Sequence, residues 1–228
     1  MSFLRRLEEV ERIPLGYGAH TRRADGLCVM EAAAYLAGLP HTDKPSCVCP
    51  VISAFLQVWN DGLPDDATRD RLLKPLLTRI LDTRSTPEVE EQRGYLALDW
   101  LVRVCTPAFL RLHPELREHA DVLSRLAPLR GIADARAASR AYVAAWDAAR
   151  ESPWGVNAAE YAVVCAGGFA ARAAWGVVKD PEWDVTFNAA RLVARLAAQA
   201  VAGALAPIIA MLQLSALDLV EQIIKVEA

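Results

Sequence analysis

The chain has 228 residues, enough for one large domain or two small ones, and needs neither disulfide nor metal merely to fold. Its 25 basic and 28 acidic residues leave a formal net charge of −3, which argues against the strong basic face of a nucleic-acid binder. Alanine and leucine dominate and β-branched residues are sparse, a composition that favours helix and predicts an all-α protein. Five cysteines at irregular spacing form no disulfide framework, and the opening MSFLRRLEEVER has no apolar core of the signal-peptide kind. The expectation is a cytoplasmic, reducing compartment.

In chain order, residues 3–13 read as a first helix whose Arg5, Arg6 and Arg12 interleave with Glu8, Glu9 and Glu11 on a solvated face. Residues 14–26 carry Gly16, Gly18 and the Asp25-Gly26 pair and read as loop. A short helix over residues 27–37 ends at Gly38 and Pro40. Pro50 stands where a first helical residue often does, and the helix it opens closes at Asn60-Asp61-Gly62. Residues 66–81 form a further helix with a kink expected at Pro75. Thr86-Pro87-Glu88 combines an N-cap, a proline in the first turn and an acidic first turn. The helix it starts is expected to reach Cys105, burying Tyr95, Leu98, Trp100, Leu101 and Val104, with Pro107, Pro114 and Pro128 breaking the chain beyond it. Exposed positions are expected for His113 and His119.

From residue 133 the texture becomes alanine-rich, with loose Ala-Ala-aromatic and Ala-Ala-Arg copies. This suggests an N-terminal region over 1–130 and a C-terminal helical array over 131–228 packed on it, or one domain containing both. Residues 196–217 contain no charged side chain, but alanine, Gln199, Pro207, Gln213 and Ser215 make a buried helix pair the expectation rather than a membrane span.

Residues 25–61 concentrate the chemistry: three of the five cysteines and one of the four histidines. Asp25-Gly26 is expected to turn the chain so that Cys28 enters the first turn of a helix, where backbone N–H groups favour a thiolate. Glu31 lies beside it. The alternative for Cys28 is a small core residue. With Cys28 as nucleophile, a thiol enzyme would use His41 as base and Asp43 as its orienter. Asp43 is equally suited to an Asx turn before Pro45. Cys28, His41, Cys47 and Cys49 hold enough ligands for zinc, but Cys-x-Cys without a second paired half is not zinc spacing, so no metal is expected. Asn60 and Asp61 read as binding candidates or as helix C-capping, on a different surface from Cys28. Phosphate-loop, dinucleotide-turn and di-iron carboxylate patterns do not occur, and no cofactor is expected.

Asp25-Gly26-Leu27-Cys28 resembles the cysteine box of the ovarian-tumour-type deubiquitinases, although Met30 replaces the aromatic of that box and no histidine follows His119. Over most of its length the chain is similar to a family of uncharacterised bacterial and phage-encoded proteins. The similarity is carried by DGLCVMEAAAYLAGLPHTDKPSCVCPVISAFLQVWNDGL, RDRLLKPLLTRILDTRSTPEVEEQRGYLALDWLVR and the closing LQLSALDLVEQII. That resemblance implies no activity. The leading expectation is a non-enzymatic interaction or scaffold module that binds a protein partner or itself, with Trp146, Trp154, Trp175 and Trp183 as interface anchors. A thiol- or imidazole-dependent enzyme and a metal-stabilised domain are the alternatives.

Overall fold

The computed structural model describes residues 2–151 and 206–227, and among these the protein is all-α. Chain order gives α1 (Phe3–Arg12), α2 (Val29–Ala37), α3 (Pro50–Gly62), α4 (Asp66–Leu73), α5 (Leu77–Ile80), α6 (Pro87–Trp100), α7 (Thr106–Leu110), α8 (Arg117–Ser124), α9 (Ile132–Glu151) and α10 (Ala206–Ile224). The only extended pairing among the described residues is an isolated parallel bridge between Leu15 and Leu27. No helix among the described residues is long and apolar enough to cross a membrane, and α10 contains the second half of the uncharged stretch. Residues 196–205 lie outside the described residues.

Local chemistry accounts for most helix ends. Ser2 caps α1 and Asp65 caps α4, accepting from Thr68 N–H at 2.7 Å. Thr86 accepts from Val89 N–H, with Pro87 at the first helical position of α6. Gly38 closes α2 in the left-handed conformation at φ +75°, which costs a glycine little. Pro75 produces its expected disturbance, a 3₁₀ turn over Lys74–Leu76 between α4 and α5.

Helix α6 differs from the expectation in an informative way. It continues through a π turn, Leu101–Cys105, in which Thr106 N–H bonds to the Leu101 carbonyl five residues back. Pro107 follows directly, so it does not break the rod. A proline clashes with the carbonyl four residues earlier, and the wider turn absorbs that conflict. The extra residue also shifts the helical phase. Tyr95, Leu98, Trp100 and Leu101 are buried as the periodicity predicts, whereas Val104 faces outward at 36% exposure.

Helix α2 lies against α1, α3 and α5, and α3 packs on α6. Phe55 sits edge-on to both Trp59 and Trp100, with ring centroids 5.9 and 6.0 Å away. Such edge-to-face pairs add roughly 0.5–1.5 kcal/mol beyond area burial. α10 returns to α6, where Trp100 Nε1 donates to Ser215 Oγ at 2.7 Å and Arg79 pairs with Glu221. Arg93 is buried and donates to the carbonyls of Thr83, Ile223 and Val226. Its positive charge therefore closes the C-terminal end of α10, where the helix dipole favours a cation. His113 and His119 are half-buried rather than exposed, because the turns around Pro114 and α8 fold them towards the bundle.

Candidate functional site

The N-terminus of α2 is built around a carboxylate. Cys28 is the N-cap and Glu31 the third helical residue, so Glu31 reaches back and accepts from Cys28 N–H at 2.8 Å, as in a capping box. Unlike an ordinary surface capping residue, Glu31 is only 1% exposed. A buried carboxylate needs several donors, and the loop over residues 14–28 supplies them. His20 donates its backbone N–H to Oε1 at 2.6 Å and its ring Nδ1 lies 2.8 Å from Oε2. His41 approaches from the other side, its Nε2 at 3.4 Å from Oε1. Nε2 of His41 also bonds to the His20 carbonyl at 2.9 Å, and a carbonyl only accepts, so that nitrogen carries its proton. By the same logic His20 presents Nδ1–H to the carboxylate.

Burial works to raise the Glu31 carboxyl pKa. The N–H groups of Cys28 and His20, with the His20 ring, outweigh it and hold the carboxyl below its ordinary value. The site is thus an anion fixed by oriented donors rather than a proton store.

Glycine makes room for the imidazole. A Cβ on Gly16 would lie 2.9 Å from His20 Nε2, and one on Gly26 only 2.6 Å from it. Gly26 also stands at φ +132°, a region that side-chain-bearing residues rarely enter. The expected Asp-Gly turn forms as a 3₁₀ turn, Arg23–Asp25, capped by Gly26. Asp25 itself points to solvent and pairs with Arg22 at 3.1 Å, away from Glu31.

Asn60 and Asp61 belong to the same constellation, which corrects the expectation that they lie on a separate surface. Asn60 Oδ1 accepts from Val29 N–H at 3.2 Å, satisfying a second orphan donor at the start of α2. Its Nδ2 donates to the Gly16 carbonyl at 2.9 Å and to Asp61 Oδ1 at 3.0 Å. Asp61 Oδ1 in turn accepts from Gly18 N–H at 2.8 Å. The physical reason is the direction of packing: the C-terminal end of α3 meets the N-terminal end of α2, with the loop wrapped over both.

Cys28, His41 and Asp43 do not assemble as a nucleophile, base and orienter. Cys28 is buried, and that burial pushes its thiol up to about 12, the Glu31 charge adding to the effect against the nearby N–H groups. No hydrogen bond among the described residues joins its thiol to His41, whose Nε2 is directed at Glu31 and the His20 carbonyl. Asp43 contributes its backbone carbonyl to Gln57 rather than its carboxylate to His41. Thr42, not Asp43, makes the local turn, accepting from Lys44 N–H at 3.1 Å. Cys49 N–H bonds to Thr83 Oγ1 at 3.0 Å, and no group of metal-ligating side chains occurs among the described residues. Trp146 lies on α9 with its side chain outside the described residues, and Trp154, Trp175 and Trp183 fall outside them entirely.

His20 is the residue that sequence reasoning missed. A signal was present: a histidine in a loop bracketed by Gly16 and Gly26, ahead of a Cys-x-x-Glu cap whose glutamate precedes an apolar run. Comparisons of the chain with protein-family models, with curated proteins and with solved structures find no match. What the fold and the cluster define is therefore a class: an all-α protein whose loop over residues 14–28 is clasped to two helix ends by a buried carboxylate and a buried amide.

Proposed function

We propose that this protein is a non-enzymatic helical interaction module, in which the residue 25–61 region is a structural clasp that presents the surrounding surface to a protein partner or to a second copy. The observation that supports the reading best is the state of Cys28. A nucleophilic cysteine needs an accessible thiol of lowered pKa. Here the thiol is 3% exposed and pushed up to about 12. The polar atoms around it are engaged in holding the loop. The reading is tested by pulse alkylation of the native protein at neutral pH, with the modified cysteine located by mass spectrometry. Cys28 is expected to stay unmodified until denaturant unfolds the chain. Rapid native labelling of Cys28 overturns the reading in favour of a thiol enzyme.

One observation favours a second reading, an imidazole-dependent enzyme built on His20 rather than on Cys28 and His41. Glu31 holds Nδ1 of His20, and Nε2 has no hydrogen bond among the described residues. A carboxylate that fixes one ring nitrogen leaves the other as a base of set tautomer. Under this reading His20→Asn removes a turnover that Cys28→Ala retains; under the first reading neither substitution removes an activity.

A further inference from the structure

Away from the histidine cluster, the π turn at Leu101–Cys105 borders a cleft of about 400 Å³ lined by Arg103, Val104, Ala108, Arg111, Leu112 and Met211. Small-molecule sites span roughly 300–1,000 Å³ and combine apolar walls with a few placed polar groups. π turns within helices occur frequently at functional sites. The polar groups here are two guanidiniums with donors left over. Arg103 uses only Nη1 on Asp99, at 3.1 Å to each carboxylate oxygen. Its Nε is buried with no hydrogen-bond partner among the described residues. The Nε/Nη2 edge of Arg103, a fork that matches a carboxylate, is therefore open. Arg111 engages Asp121 and Ser124 through Nη2 alone. Asp121 is shared with Arg125, so these pairs set three guanidiniums against two carboxylates.

We propose that this cleft binds an amphipathic carboxylate, with its aliphatic tail against Val104, Ala108, Leu112 and Met211 and its carboxylate on the open edge of Arg103 beside Arg111. The inference is independent of the interaction-module reading and concerns a different surface.

Titration calorimetry of the full chain with decanoate, kept below its micelle concentration, tests it against decanol as the uncharged control. Saturable one-site binding is expected, with decanol at least about tenfold weaker, since a hydrogen bond to a charged group is worth that much. Arg103→Gln is expected to weaken decanoate by about tenfold and leave decanol unchanged. Ala108→Trp fills the cleft and is expected to abolish both. Met211→Glu, at an exposed position, makes the same test without touching the core should the tryptophan prevent folding. Absent saturation, equal affinity for decanol, or folded cleft variants that bind like the parent each overturn the proposal.

Discussion

His20 Nδ1 and Glu31 Oε2 lie 2.8 Å apart across eleven residues of sequence, on a carboxylate that is almost wholly removed from solvent. That contact ties a glycine-rich loop to the start of α2 and makes one carboxylate responsible for the donors of two segments.

Glu31→Gln keeps the shape and deletes the charge. The amide can accept through one oxygen only, and its NH2 group then faces donors of Cys28 or His20. A loss of about 3 kcal/mol is expected, combining weakened charge-assisted bonds with an unsatisfied buried donor. Urea denaturation at neutral pH measures it, and a loss under ~0.5 kcal/mol, the range of ordinary surface substitutions, would remove Glu31 from its central place.

The same carboxylate gives a pH dependence of definite sign. Its folded-state pKa is lowered relative to the ordinary value of about 4.3. The unfolded chain therefore binds the proton more readily, and the Glu31 contribution is complete above that value and fades as pH falls through the folded pKa. The stability gap between parent and Glu31→Gln should be widest near neutrality and should narrow below about pH 4. A gap that widens on acidification contradicts the assignment.

Gly26→Ala places a methyl group against the His20 ring and asks alanine to hold φ +132°. Strain of this kind costs on the order of 1–3 kcal/mol. Pairing it with His20→Ala separates two effects: the clash disappears, whereas the backbone strain remains. A double-mutant cycle should therefore show a coupling of about 1 kcal/mol between the positions. Strict additivity would mean that the ring does not occupy the space between the glycines.

Arg93→Met tests the other end of the molecule. The buried guanidinium binds the carbonyls of Thr83, Ile223 and Val226, and methionine replaces its volume but none of its donors. A loss of about 2–4 kcal/mol is expected from the stranded carbonyls. Hydrogen exchange should show the final turn of α10 opening first, because Arg93 closes that turn.

Much of the fold was legible in local patterns. Thr86-Pro87-Glu88, Pro50 and Gly38 mark helix ends because caps act within one turn, and Pro75 marks a disturbance because its missing N–H is a local fact. Val104 escaped the same reasoning: a single π turn shifts the phase of every residue after it, and no local pattern announces the shift. Within the cluster, Glu31 was visible beside Cys28, but its partners were not. His20 and Asn60 reach the start of α2 from segments eleven and thirty-one residues away.

The sequence by itself determined an all-α chain, the order of its helices and the region where its chemistry gathers, since propensity, periodicity and capping act over a few residues. Only the tertiary structure decided that Cys28 is sealed, that His20 rather than Asp43 partners the cluster, and that Asn60 and Asp61 close it. Those outcomes depend on which helix ends meet in space, and burial then sets which polar groups must find one another.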